Sequence, residues 1–133
     1  MRHMLILLAI FLQFIFANDQ YYYNNGIKHY LTPINQTVKI RSISNNSKQY
    51  FKTNNNIIVA VKDTILIKLK KSNISIDNIL ERYNISLIDK LTNKIYLLKI
   101  KNFQDIFDIS NLLYNDKDIQ YAHPNFEKKV HLR

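Results

Sequence analysis

The 133-residue chain holds a single glycine, Gly26, and that scarcity constrains it more than any other feature. Gly26 follows Asn24-Asn25 and is flanked by Tyr21-Tyr22-Tyr23 on one side and Ile27 to Leu31 on the other. Two β-type runs around an Asn-Gly step predict a hairpin, because the centre of its tight turn needs positive φ, which Asn and Gly accept. The same scarcity excludes whole classes of chemistry. Phosphate-cradling loops, dinucleotide fingerprints and nucleophile elbows need several closely spaced glycines to bring backbone N–H groups to a ligand. Cysteine is absent, which excludes a disulfide framework, a thiolate zinc site and a catalytic Cys. No cofactor is implied.

Residues 1–17 read as an address. Arg2 precedes an apolar run from Met4 to Leu12, and Phe14-Ile15-Phe16-Ala17 leads into polar Asn18-Asp19-Gln20. A basic start, a short apolar segment and a small residue ahead of polar sequence are the parts of a secretory signal peptide. The run is shorter than the ~20 residues of a spanning helix. The mature chain is therefore expected to begin at Asn18, to be exported to a periplasm or the exterior, and to keep no stable membrane span. Nineteen Lys plus Arg against ten Asp plus Glu give a formal charge of +9. Apart from Arg2 these cations are scattered, adjacent only at Lys70-Lys71 and Lys128-Lys129, and read as solvated lysine rather than a nucleic-acid footprint.

Residues 18–56 read as the hairpin followed, from Asn35 to Asn56, by a loose Asn-rich connector around isolated Val38, Ile40 and Ile43, with at most one weak strand in it. Ile57 to Val61 is apolar, Lys62-Asp63 reads as a break, and Thr64 to Lys70 alternates like a strand with one buried side. Ile76, Ile79, Leu80 and Tyr83 fall on one helical stripe behind Ser75 as N-cap. Ile85 to Leu91 and Lys94 to Ile100 predict a second hairpin. Phe103, Ile106, Phe107, Leu113 and Tyr114 predict a helix capped by Asn102, and Ile119 to Phe126 a strand cut by Pro124. The order from 57 to 126 is strand, helix, strand, strand, helix, strand. It predicts an α+β class: a ferredoxin-like βαββαβ antiparallel sheet with two helices on one face, preceded by the signal peptide and the N-terminal β-hairpin.

Catalytic and metal constellations are not written in the sequence. His3, His29, His123 and His131 lack the i, i+4 spacing of a metal helix, and no Ser stands beside residues that would supply an oxyanion hole. The N-x-[ST] matches at Asn35, Asn45, Asn73 and Asn84 are what so Asn-rich a chain produces by chance. An RNA reader of this topology needs aromatics on its central strands; Thr64 to Lys70 has none and Lys94 to Ile100 has Tyr96 alone. No nucleic-acid partner is expected. The distinctive stretch is Tyr121-Ala122-His123-Pro124-Asn125-Phe126, just before Lys128-Lys129.

Thr64-Ile65-Leu66-Ile67-Lys68-Leu69-Lys70, the helix end Glu81-Arg82-Tyr83-Asn84, Ile95-Tyr96-Leu97-Leu98-Lys99 and Asp118-Ile119-Gln120-Tyr121-Ala122-His123-Pro124-Asn125-Phe126 together resemble the N-terminal propeptide of secreted bacterial subtilisin-like serine peptidases. The resemblance implies a prodomain that inhibits its peptidase and assists its folding as an intramolecular chaperone. It further implies that Tyr121, Ala122, His123, Pro124, Asn125 and Phe126 dock on the peptidase, with Tyr121 and Phe126 as aromatic anchors. A cleft-directed tail would follow, made of Glu127, Lys128, Lys129, Val130, His131, Leu132 and Arg133.

The glycine-set Asp, His and Ser boxes of the family's catalytic domain do not occur in these 133 residues, so no proteolytic activity is expected. The partner implied is a subtilisin-like catalytic domain, met in trans or supplied by an adjacent split gene. Two other readings stand beside this one: a truncated non-catalytic fragment of a secreted serine peptidase, and a secreted basic binding module.

Overall fold

The computed structural model describes residues 20–34 and 48–128. The expected signal segment, connector residues 35–47 and tail residues 129–133 lie outside the described residues. Strands β1 (Gln20–Asn24) and β2 (Ile27–Pro33) pair in a register that sets Asn24 opposite Ile27. Asn25 and Gly26 turn between them at φ 50° and 78°, the paired positive values that a two-residue hairpin turn demands. Strands β3 (Gln49–Thr53) and β4 (Ile58–Leu69) follow, then helix α1 (Ile76–Tyr83), strands β5 (Ser86–Lys90) and β6 (Ile95–Lys99), a 3₁₀ turn at Phe103–Asp105, helix α2 (Ile106–Tyr114) and strand β7 (Ile119–Lys128).

The twelve-residue β4 organises everything else. Val59, Ala60 and Val61 are buried in its first half, and Thr64, Ile65, Ile67 and Leu69 in its second. On one side β4 pairs first with β3, placing Val59 opposite Phe51, and then with β6, placing Leu66 opposite Leu97. Along its other side β7 runs from Lys128 opposite Val59 to Ile119 opposite Leu69.

Lys62-Asp63 is therefore not a break. It is the hand-over between two neighbours, where the Ile100 amide donates to the Asp63 carbonyl at 3.1 Å and the side chains pair outward, Asp63 with Lys99 at 3.3 Å and Lys62 with Glu127 at 3.3 Å. Nor does Pro124 cut the last strand. It lies buried opposite Ile65 beside a register shift, a place where the ladder forgives a missing N–H, and Asn125 steadies the shift by donating to Thr64 Oγ1 at 3.1 Å.

These pairings overturn the ferredoxin-like expectation. The seven strands of the described residues join one antiparallel sheet in the path β1-β2-β3-β4-β6-β5, with β7 on the far side of β4. Of the described residues 51% are strand and 21% helix, and the sheet curls into a half-barrel with two short helices rather than carrying both on one face. The physical reason is the unbroken β4: its first half recruits β3, and through it the N-terminal hairpin, into the sheet. β3 itself lies within the stretch read as a loose connector. Its Gln49-Tyr50-Phe51-Lys52-Thr53 buries Phe51 at 1% exposure.

Helix α2 stands against both β1 and β7. Phe107 meets Phe51 edge-on at 5.2 Å and Tyr114 stacks on Tyr23 at 4.5 Å. Asn111 Nδ2 donates to the Tyr21 carbonyl on β1 at 3.1 Å. The Ser110 hydroxyl and Asn111 Oδ1 are buried with no hydrogen-bond partner among the described residues. Asn102 accepts from the Gln104 amide at 3.2 Å as expected, whereas Ser75 sits at the α1 N-cap without a side-chain bond. The C-terminal end of α1 is tied to the loop after α2, where Asp116 accepts from Arg82 at 2.5 Å and from the Tyr83 hydroxyl at 2.7 Å. Burial pushes the Asp116 carboxyl up, but Tyr83, the Asp118 amide and Arg82 outweigh it and hold the group below the usual carboxylate value.

Candidate functional site on the open face of the sheet

Directly opposed residues of an antiparallel sheet share a face. Tyr121, Lys68 and Ile95 form one cross-strand row over β7, β4 and β6, and His123, Leu66 and Leu97 form the next. All six are half-exposed, whereas the alternating Ala122, Pro124, Ile65, Ile67, Tyr96 and Leu98 are buried on the opposite face. Period-two alternation of this kind normally places polar residues on the solvent side. Here that side carries leucine, isoleucine and aromatic rings.

Rings also line up along the strand and across to the hairpin. Tyr121 stacks on His123 at 5.6 Å, His123 on Phe126 at 6.2 Å, Phe126 leans on Tyr22 at 4.6 Å, and Tyr22 stacks on His29 at 5.2 Å. Nδ1–H of His123 donates to the Pro124 carbonyl at 2.9 Å, which leaves Nε2 as the ring's acceptor. Burial pushes the Tyr22 phenol up. The ladder ends beside a cleft of about 160 Å³ between His29 and the Asn54-Asn55 turn.

The six residues expected to dock do not act alike. Tyr121 and His123 stand on the open face, half-exposed. Ala122 and Pro124 face the core. Asn125 is engaged with Thr64, and Phe126 is spent on Tyr22, packed against the core as an internal strut. Glu127 and Lys128 remain inside β7, with the Glu127 carboxylate 2.9 Å from Lys48 Nζ. Hydrogen bonds from Lys48 and Lys62 hold that carboxylate below its ordinary value. Lys129, Val130, His131, Leu132 and Arg133 lie outside the described residues.

Sequence reasoning sets Lys68 opposite the buried side of its strand, as observed, but misses Leu66, Ile95 and Leu97 as surface residues. The signal was present, because both faces of β4 and β6 are apolar, and one of them must look outward unless another layer covers it.

The chemistry of such a face is that of a binding surface: apolar area to be removed from water, with the Lys68 cation at the middle of one row. Among the described residues, no group of three or more His, Asp or Glu gathers where a metal could be held, and no helix is long and apolar enough to cross a membrane. No family model, curated protein or solved structure matches the chain.

Proposed function

We propose that the chain is a non-catalytic docking module that seats the open face of its sheet on a partner protein. The partner is the catalytic domain of a subtilisin-like serine peptidase, which the module inhibits and helps to fold. The observation that carries this reading is the pair of cross-strand rows, Tyr121-Lys68-Ile95 and His123-Leu66-Leu97, left half-exposed on the face of the sheet opposite the core. Half-exposed leucine, isoleucine and aromatic side chains on one face offer the apolar area and aromatic anchors that protein interfaces use. The choice of partner rests on the resemblance of the closing stretch Tyr121 to Phe126 alone; the ferredoxin-like architecture that the resemblance also implied is not the one this sheet adopts.

The test is inhibition. The full chain, titrated into a subtilisin-like peptidase turning over a chromogenic peptide, is expected to slow hydrolysis at micromolar concentration. Leu97→Asp and Tyr121→Ala should relieve that inhibition while leaving the circular dichroism unchanged. No slowing at micromolar chain removes the proposal, and inhibition that survives Leu97→Asp removes the assignment of this face.

A further inference from the structure

The lysines that sequence inspection leaves scattered are sorted by the fold. At the end of the sheet where β3 meets β4, three cations are paired, Lys48 and Lys62 with Glu127 and Lys99 with Asp63, and Lys52 of β3 makes no ion pair among the described residues. At the opposite end, where β4 and β5 finish and β6 and β7 begin, the topology gathers Lys70 and Lys71 after β4, Lys94 in the β5–β6 turn and Lys117 just before β7. Backbone bonds tie the three segments together, from the Leu69 amide to the Lys94 carbonyl at 2.8 Å and from the Lys70 amide to the Asp118 carbonyl at 3.0 Å.

None of these four ammonium groups makes an ion pair among the described residues. Asp116 and Asp118 face Arg82 at 2.5 and 3.8 Å, which leaves Asp77 and Asp89 as the acids near this end without an ion pair. Leu91, 51% exposed, stands at the β5–β6 turn among the lysines.

Cations around an exposed aliphatic side chain at a loop tip match an anionic lipid surface. Lysines near such a surface gain from its negative potential, and an apolar side chain gains only where it can leave water. A soluble polyanion would use the lysines and ignore Leu91. We infer that this end of the sheet is a peripheral docking surface for anionic phospholipid bilayers, with Lys70, Lys71, Lys94 and Lys117 on the headgroups and Leu91 entering the interface. It shares none of these residues with the open face.

The test is sedimentation of the full chain and of a chain beginning at Asn18 with phosphatidylcholine vesicles and with mixed phosphatidylserine–phosphatidylcholine vesicles; the difference between the two vesicles reads the anionic preference, and the shorter chain removes the share of Arg2 and the apolar run. The preference should fall by about fivefold for each lysine removed, and should be lost in the quadruple variant Lys70→Gln, Lys71→Gln, Lys94→Gln, Lys117→Gln. Leu91→Ser should weaken binding to the anionic vesicles and leave its salt dependence unchanged. All five side chains are surface groups, so unchanged circular dichroism is expected throughout. An anionic preference that survives the quadruple variant overturns the inference, and so does binding that Leu91→Ser leaves untouched, which would mark a site for soluble polyanions instead.

Discussion

Phe126 of β7 and Tyr22 of β1 stand 4.6 Å apart, ring centre to ring centre, although their strands are not paired with each other. The contact closes the curl of the sheet. Phe126→Ala should therefore destabilise the fold by about 2 kcal/mol, less than a fully buried Phe because the ring is half-exposed. In a double-mutant cycle with Tyr22→Ala, measured by urea unfolding, a coupling of about 0.5–1.5 kcal/mol is expected. Simple additivity would show that the two rings close nothing.

Asp116 predicts an acid limb. Its carboxyl is held below the unfolded value of about 3.9, so its contribution is fully present above that value and is lost as pH falls through the lower, folded one. Chemical unfolding followed between about pH 6 and pH 2 should show a shallower decline in Asp116→Asn than in the parent chain. Tyr83→Phe removes one hydrogen bond to the ionised group and should cost about 1–2 kcal/mol at neutral pH.

The buried Ser110 hydroxyl has no partner among the described residues, and leaving such a group desolvated costs about 1–3 kcal/mol. Ser110→Ala should raise stability by about 1 kcal/mol, read as a higher urea midpoint at unchanged slope. A lower midpoint would mean that the hydroxyl is bonded in solution.

Gly26 gives a backbone test. A Cβ there meets nothing closer than the Tyr114 hydroxyl oxygen at 3.9 Å, so space is ample, but φ is +78°. Gly26→Ala should cost about 1–2 kcal/mol from left-handed strain alone, whereas Asn25→Gly should be close to neutral or mildly stabilising. Equal effects at both positions would argue against this turn geometry.

Much of the local structure is legible in the sequence, because local structure follows period and turn chemistry. The Asn25-Gly26 turn, the stripe of Ile76, Ile79, Leu80 and Tyr83, and the alternation from Thr64 to Leu69 each announce their element. What stays hidden is how the strands combine. Lys62-Asp63 looks like a gap because two charges interrupt an apolar run; in the fold they mark the point where β4 exchanges one neighbour for another, and side chains at such a point have solvent to reach. β3 is mostly polar, and Phe51 alone shows that it is a strand. Of the expected docking stretch, alternation along β7 separates Tyr121 and His123 from the buried Ala122 and Pro124. The capture of Phe126 by Tyr22 joins residues far apart in the chain, which no local pattern encodes.

The amide of Asn111 sits on a carbonyl of β1, so a nine-residue helix shields the rim of a seven-stranded sheet. Were α2 to loosen, β1 would offer unpaired backbone to any extended chain nearby. The helix covers one end of the strand path, whereas β5 at the other end is exposed at all five residues, so heat or mild denaturant should start strand exchange at β5 rather than at β1.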